Sequence, residues 1–482
     1  MKNRLLTCAS VGLALLTAVI LSSCPQTAWG VSGDDPNGRA YSFTPIAFLN
    51  HPAPGGGNFI NDFEPYGLQN NGGLAFAADV STGEGVFIGH AGQISQLARS
   101  GQSAPGGGTF GAAGDLGRIG LNSGGDVVFG FILDPFTSPI GVNSGFYRFS
   151  HNNQVLSAVA KPGDPAPGTG GGTFRGVFFN TSINNQGEMV FAGIVGVDAC
   201  VFCAGADIAP GPPGVDGLGL GTGLFRADKH GKLSSVVRPG DPAPGGHTFD
   251  WAANGWINDG GDIAFGAHVA GDTCIDFGVP QSAQIFCAES VYLKDAATGA
   301  IQSIAHQGHP APRGGTFRLA FGPVVNNAGD VVFIGNLTPE PNDVDGSRNY
   351  GVFLFSRGST TAVAVPGDPM PGGGKVLSAG LSDSTYHVNN RGDVSFSATL
   401  DTSLNGGGVP DTGVYVFSKG SVRLVARTGT PMFGTTIENL GAPGFFTTAP
   451  TVQAGGIINE AGQVLFSATL ADGRVVLVLA TP

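Results

Sequence analysis

Residues Thr316–Leu337 read TFRLAFGPVVNNAGDVVFIGNL, and residues Tyr350–Gly374 read YGVFLFSRGSTTAVAVPGDPMPGGG. Together they contain four short runs of apolar and β-branched residues, separated by clusters of Asn, Gly and Pro. Runs of this length and composition are typical of β-strands and not of helices. The segment Asn326–Gly329 lies between the first two runs, and Gly329 can adopt the positive φ that a tight hairpin requires. The stretch therefore predicts a four-stranded antiparallel sheet.

The same unit recurs along the chain. Each copy has a Phe in its second strand and a Gly four residues earlier, and six copies have an Asn seven residues earlier, where the first copy has Gln69. The seven Phe residues are Phe76, Phe129, Phe191, Phe265, Phe333, Phe396 and Phe466. A repeat of four antiparallel strands is typical of a β-propeller blade. We therefore predict an all-β fold, a seven-bladed β-propeller, with a linear β-solenoid as the alternative.

The two ends of the repeat region favour a closed ring. The seventh copy supplies strands near Thr447–Ile457, Gln463–Ala468 and Arg474–Leu479, and it is then one strand short. The run Phe43–Leu49 precedes the first copy and has no other strands of its own. We predict that this N-terminal strand completes blade seven, which would leave no exposed sheet edge at the junction. A solenoid needs no such split repeat.

The first residues are predicted to direct export. Lys2 and Arg4 precede the apolar run Leu5–Leu21, a pattern typical of a signal peptide. The sequence LSSC that ends at Cys24 resembles a bacterial lipobox, in which the Cys is lipidated. Ordinary cleavage after Gly30 is the alternative. Either interpretation predicts a protein of the cell envelope or the extracellular medium.

The domain organisation follows from these boundaries. Residues 1–24, or 1–30 for ordinary cleavage, form the predicted signal peptide. Residues 25–40 are predicted to be a flexible tether, and residues 41–482 a single propeller domain. The chain has 82 Gly and 32 Pro residues, which suits many turns, and 35 acidic against 23 basic residues. This acidic excess disfavours nucleic acid and anionic membrane surfaces as partners, so membrane contact is expected only through a lipid anchor.

Four cysteines lie outside the predicted signal peptide. An even number in an exported chain favours disulfides, and we predict the local pairs Cys200–Cys203 and Cys274–Cys287. A pairing between blades remains an alternative. The Cys-x-x-Cys spacing of the first pair is also found in redox motifs and in half of some zinc sites.

A candidate binding surface is predicted on one face of the ring. Antiparallel alternation places the connections that follow the second and fourth strands together, and five of the seven second-to-third connections are long. The segments between blades, such as PGDPAPGG, reach the same face; we call these segments straps. Their charged and titratable residues are Asp164, Asp241, Asp368, Arg99, Lys161, Arg238, Arg427, His306 and His309. These residues are predicted either to bind a polar ligand or to form acid–base pairs that tie neighbouring blades together.

The repeated pattern Asn-x-x-Gly-Asp-Val-x-Phe, as in Asn326–Phe333 and Asn389–Phe396, resembles that of the bacterial exported choice-of-anchor tandem-repeat proteins. The resemblance covers about residues 42–482. It implies repeats joined to a surface anchor, and it implies no activity or catalytic residue. Members with a C-terminal sorting segment differ from this chain, so the resemblance implies an N-terminal anchor here.

The sequence contains no recognisable catalytic motif, so an enzyme is less expected than a binding protein. We expect no cofactor and no bound metal. The favoured hypothesis is an exported binding or scaffold module whose partner is an extracellular glycan, an envelope component or a protein. One alternative is a propeller hydrolase or lyase that acts on an extracellular polysaccharide with Asp or His residues. Another is a structural component of a surface coat.

Overall fold

The computed structural model describes residues 41–482, except 112–117, 135–142, 196–221, 273, 277–284, 288, 339–349, 381–384, 405–407 and 441–455. Within these ranges every regular element is a β-strand, and no helix is long and apolar enough to cross a membrane. The strands form seven antiparallel sheets arranged as the blades of a propeller. The first strands of neighbouring blades contact one another, which places them around the centre. The predicted seven-bladed β-propeller is therefore confirmed.

The blades are numbered here along the chain. Blade one contains Phe59–Leu68, Leu74–Val80, Gly83–His90 and Gln93–Arg99. Blade two contains Thr109–Phe110, Gly120–Leu121, Val127–Asp134, Ser144–Ser150 and Val155–Ala160. Blade three contains Phe174–Ile183, Met189–Val195, Thr222–Ala227 and Leu233–Val237. Blade four contains Phe249–Ile257, Ile263–Val269, Ser290–Lys294 and Ile301–Ala305, and it carries a hairpin of Cys274–Asp276 and Ile285–Cys287.

The remaining blades follow the same plan. Blade five contains Thr316–Val325, Val331–Thr338, Tyr350–Ser356 and Ser359–Ala364. Blade six contains Val376–Ala379, Tyr386–Val388, Val394–Leu400, Thr412–Ser418 and Ser421–Arg427. Blade seven contains Pro431–Met432, Thr435–Asn439, Ile457–Ile458, Val464–Leu470, Val475–Thr481 and Ser42–Phe48.

The N-terminal strand closes the ring as predicted. Ser42–Phe48 pairs antiparallel with Val475–Thr481 and forms the outermost strand of blade seven. The first strand of this blade differs from the prediction, because Thr435–Asn439 also pairs with the second strand. The predicted strand Thr447–Ile457 lies outside the described residues except at its end. Ile437 in the observed segment is fully buried, and it contributes to the core of the blade where five other copies have a Phe and blade six has Val376.

Aromatic rings form the core of most blades. In six blades the repeated Phe of the second strand packs against an aromatic ring of the third strand, as Phe333 packs on Phe353 at a centroid distance of 5.6 Å. Phe317 of the first strand meets Phe353 edge-on at 5.0 Å. Each such pair contributes about 0.5–1.5 kcal/mol to stability, in addition to the free energy gained by burying its apolar area. The packing of these rings explains why Phe recurs at this position.

The repeated Asn explains how the blades are held in a ring. In each first-to-second-strand turn the side-chain amide donates to a main-chain carbonyl in the next blade, as Asn326 does to Asn389 at 2.8 Å. The donor–acceptor pairs are Asn122–Asn184, Asn184–Asn258, Asn258–Asn326, Asn326–Asn389, Asn389–Asn459, Asn459–Gln69 and Gln69–Asn122. The hydrogen bonds thus form a closed circle, which we call the amide ring.

Candidate binding site

The propeller has two unlike faces. The amide ring lies on the face that also carries the third-to-fourth-strand turns, and we call this the ring face. The straps and the second-to-third-strand connections lie on the opposite side, which we call the strap face. Much of the long connections in blades two, three, four and five lies outside the described residues. The straps themselves are described, and they show where the predicted site residues lie.

The aspartates of the straps close turns within their own straps. Asp164 accepts a hydrogen bond from the main-chain N–H of Lys161 at 3.0 Å, and Asp241 accepts one from Arg238 at 2.9 Å. The same residues form ion pairs of 2.8 and 2.9 Å. Asp368 likewise accepts the N–H of Val365 at 3.0 Å. The predicted acid–base ties between blades are therefore not made by the Lys161–Asp164 and Arg238–Asp241 pairs, because each closes a turn of only four residues.

Two of the predicted arginines do join consecutive straps. Arg99 donates to the carbonyl of Pro54 at 2.9 Å, and Arg427 donates to the carbonyl of Gly373 at 2.7 Å. Only 5% of Arg99 and 6% of Arg427 are exposed. Asp368 is also joined across straps, by an ion pair with Arg313. The main role of these side chains is thus to hold the straps against one another.

The two histidines of the predicted set lie in blade four, in contact with a carboxylate. Nε2 of His306 is 3.3 Å from Oδ2 of Asp272, which follows the second strand. The rings of His306 and His309 have their centroids 5.2 Å apart. The strap alignment identified both histidines, whereas Asp272 lies 34 residues earlier in an irregular connection. Its contact with His306 depends on how blade four folds.

A second His–Asp pair lies beside the first. Nδ1 of His268 in the second strand is 2.9 Å from Oδ2 of Asp250 in the first strand. His268 is buried, and within the described part of the chain its Nε2 has no hydrogen-bond partner. The sequence analysis did not identify this pair. The repeat carries no signal for His268, because the corresponding position is also polar in blades one, five, six and seven, as Asp79, Asn336, Thr399 and Thr469.

The electrostatics of blade four favour neutral groups. Burial raises the pKa of the Asp272 carboxyl above its usual value, while the neighbouring His306 and His268 counteract part of that shift. Burial and the nearby His306 lower the pKa of His309. We call Asp250, His268, Asp272, His306 and His309 the blade-four cluster. Such a cluster can donate and accept hydrogen bonds and can exchange protons with a bound molecule.

In the described residues no group of three or more His, Cys, Asp or Glu side chains has an arrangement that could hold a metal ion, and this includes the blade-four cluster. Cys200, Cys203 and Cys24 lie outside the described residues. Cys274 and Cys287 are directly opposite each other in the hairpin of blade four. The register brings their backbones together, and the disulfide between them remains a prediction.

Arg118 lies at the centre of the ring, among the first strands. It donates to the hydroxyl of Tyr386 at 2.9 Å, and its guanidinium lies 5.2 Å from the ring centroid of Tyr386 and 5.7 Å from that of Trp256. His387 packs edge-on against Trp256 at 5.6 Å. Burial, and secondarily the positive charge of Arg118, lowers the pKa of His387 to about 4. Side chains from blades two, four and six therefore pack together across the central axis.

Comparison with solved structures finds other proteins that share the general course of the backbone. An oligogalacturonate lyase from Vibrio parahaemolyticus is 11% identical with a TM-score of 0.48, and the match covers 94% of this chain and 96% of that one. The β-propeller domain of the Trilobed protease from Pyrococcus furiosus is 9% identical with a TM-score of 0.43, covering 88% and 94%. An ulvan lyase of polysaccharide lyase family PL25 is 10% identical with a TM-score of 0.43, covering 90% and 94%.

Comparison with curated proteins finds no match. A family model, described as a family of unknown function (DUF7453), matches residues 37–201 and 218–476. These ranges include nearly the whole propeller and all seven of the repeated second-strand Phe residues. The chain therefore belongs to this family of unknown function, DUF7453.

Proposed function

We propose that this protein is an exported propeller that binds a polar extracellular ligand, such as a glycan or an envelope component, at the blade-four cluster on its strap face. The observation that carries the proposal is the convergence of two His–Asp pairs, Asp250–His268 and Asp272–His306, in one blade. The other predicted strap residues either close a turn within their own strap or join consecutive straps. The blade-four cluster is therefore the best candidate for recognition.

The blade-four cluster is expected to lower the free energy of unfolding, and this supports a role for it other than stabilising the fold. His268 is buried, and within the described residues its Nε2 has no hydrogen-bond partner. Burying a polar atom without a partner costs about 1–3 kcal/mol. Asp272 is held where its charged form is disfavoured. Local departures from the most stable arrangement are expected at functional sites.

Binding can be tested with a panel of purified extracellular polysaccharides and isothermal titration calorimetry. His306→Ala and Asp272→Asn are expected to weaken the binding of any positive polymer at least tenfold. His230→Ala is the matched control, because His230 is exposed in a third-to-fourth-strand turn on the ring face. Binding that is equally strong in all three variants would place the ligand elsewhere.

A second candidate function is acid–base catalysis on a polysaccharide, as a hydrolase or a lyase. The observation that favours it is a carboxyl with a raised pKa only 3.3 Å from an imidazole, Asp272 and His306. Such a pair suits proton donation to a bound molecule or proton abstraction from it. Turnover would appear as new reducing ends or as unsaturated products in polymers that bind. Asp272→Asn is then expected to abolish turnover while retaining part of the binding, whereas undiminished turnover would exclude this carboxyl.

A further inference from the structure

A groove lies on the outer side of the ring, between blades three and four. Its volume is about 400 Å³, within the range of small-molecule sites. The walls are formed by Val236, Pro242, Pro244 and Ile301, with Lys294 and Asp241 as the charged residues. The groove does not include Asp272 or His306, so it is independent of the function proposed above.

Lys294 occupies a position of the repeat that differs between blades. It is opposite Ile263 in the sheet register, and the residues in the same register position are Phe149, Phe355 and Phe417 in blades two, five and six, and Gly89, Ala227 and Ala480 in blades one, three and seven. Phe149 and Phe355 are buried, each in a cluster that includes side chains of the preceding blade. A Phe at this position thus fills the space between blades. Blade four has a lysine there instead.

The ammonium group of Lys294 makes a hydrogen bond to the main chain and no ion pair within the described residues, so its charge can interact with a ligand. Its Nζ donates to the main-chain carbonyl of Val236 at 2.6 Å. Among the described residues no carboxylate lies within ion-pair distance of Nζ, and the nearby Asp241 is already paired with Arg238. An ammonium has three donors, so two remain for another acceptor. Burial lowers the pKa of Lys294, with Asp241 acting in the opposite direction, which indicates that the cation is incompletely compensated.

The chemistry of the walls restricts the class of ligand. Pro242 and Pro244 have no N–H to donate, and the N–H of Ala243 is bonded to the carbonyl of His247. The strap residues that line the groove therefore do not form the cradle of N–H groups that phosphate sites use. Aliphatic and proline side chains instead suit the apolar face of a sugar ring or of a short side chain. Two charged residues line the groove, and because Asp241 is paired with Arg238, the charge of Lys294 matches a singly charged acid.

We propose that this groove binds a small carboxylate, with the carboxylate accepting hydrogen bonds from Lys294 and the apolar body of the molecule lying on Pro242, Pro244 and Ile301. Two sources share this chemistry: a uronic acid of an acidic polysaccharide, and the C-terminal carboxylate of a peptide. Glucuronate and N-acetyl-leucine serve as the probes that distinguish them.

The test is calorimetric titration of the full protein with glucuronate, N-acetyl-leucine, glucose and inorganic phosphate. We expect saturable binding of at least one of the two carboxylates and much weaker binding of glucose and phosphate. The carboxylate that binds identifies the source. Absence of binding by both carboxylates, or equal binding of glucose and glucuronate, would overturn the proposal.

Two substitutions of Lys294 distinguish a loss of binding from a loss of folding. Lys294→Met removes the charge at similar size and should weaken binding at least tenfold. Lys294→Phe restores the residue type of blades two, five and six, and should abolish binding while the thermal midpoint is retained or raised. Lys232→Met, at an exposed turn, is the control and should bind as the unaltered protein does. Undiminished binding by folded Lys294→Phe protein would refute the site.

Discussion

Nε2 of Gln69 donates to the main-chain carbonyl of Asn122 at 2.6 Å, and so the one repeat that lacks the Asn still joins the amide ring. Gln69 in turn accepts, through its own carbonyl, a hydrogen bond from Asn459 at 3.0 Å. Gln69 thus lies at the junction between the last blade and the first, where the two ends of the repeat region meet.

Gln69→Ala is expected to lower the free energy of unfolding by about 1–2 kcal/mol, because it leaves the carbonyl of Asn122 without that donor. Gln69→Asn should be nearly neutral, since Asn performs this role in the six other blades. Urea unfolding measures both. The exposed Asn70→Ala is the control with a smaller expected effect. Equal stability of Gln69→Ala and the unaltered protein would show that the ring is held by packing alone.

Stability is expected to fall in mild acid partly because of His387, whose pKa is lowered from 6.5 to about 4. Protein atoms surround this side chain, although part of its surface stays accessible. Between pH 6.5 and pH 4 the unfolded chain binds a proton that the folded protein does not, so stability decreases as the pH falls through this window. The maximum contribution is about 3 kcal/mol.

Urea unfolding of the unaltered protein and His387→Gln between pH 8 and pH 4 measures this contribution. As the pH falls from 6.5 to 4, the unaltered protein should lose more stability than the His387→Gln variant does. His230→Gln, in an exposed turn, should show no such change. Parallel pH profiles for all three proteins would contradict the role of His387.

Asp272→Asn is expected to stabilise the protein at pH 7. Burial raises the pKa of this carboxyl, so the folded state disfavours the ionised form more than the unfolded state does. That cost is present above the raised pKa and disappears as the pH falls below the ordinary value. Thermal unfolding at pH 7 and pH 4 should show the advantage of Asn at the higher pH.

Asp228→Asn is the matched control, with the opposite sign. Hydrogen bonds from the main chain of Lys232 and His230 lower the pKa of Asp228, so its ionised form is favoured in the folded state. Its substitution should lower the thermal midpoint at pH 7. A loss of stability in Asp272→Asn would show that the ion pair with His306 outweighs the burial.

Two basic strap residues, Arg427 and Lys161, are expected to differ strongly in their contribution to the free energy of unfolding. Arg427→Met should cost about 3–5 kcal/mol, because it leaves Asp411, of which 1% is exposed, without its cation. Lys161→Met should cost about 1 kcal/mol or less, because its pair with Asp164 is partly solvated. Urea unfolding of both variants makes the comparison. Equal effects would indicate that Asp411 is satisfied by its other hydrogen bonds.

Cys274 and Cys287 are expected to form a disulfide, because they are directly opposite in a two-stranded hairpin. Mass spectrometry after alkylation in denaturant, without a reductant, should find both residues unmodified. Removing the bond by Cys274→Ser with Cys287→Ser should cost about 3 kcal/mol in the chain-entropy model. Alkylation of both thiols in the unreduced protein would contradict the pairing.

The sequence was sufficient for the strands and the number of blades, because the determinants are local. The repeated Phe and Asn each act within one blade or between neighbours, and their spacing is visible in the chain. The start of blade seven was harder to predict, because the segment Thr435–Asn439, which pairs with the second strand, has Ile437 in place of the Phe that marks the first strand in five other copies.

The candidate site was predicted only in part. His306 was identified by its alignment with strap residues such as Lys161 and Arg238. Its partner Asp272 was missed, because their contact requires the folded sheet of blade four. The contact of Arg118 with Tyr386 joins residues 268 positions apart. A periodic pattern carries no information about such pairs.

The outermost strand of blade seven also determines on which face of the propeller the described chain begins. Ser42–Phe48 begins on the ring face and runs to the strap face, where His51 and Pro52 start the first strap. The first described residue, Tyr41, therefore lies at the rim of the ring face, on the side of the propeller opposite the straps and the blade-four cluster. A surface that held the domain by its ring face would leave the straps and the blade-four cluster open to a partner.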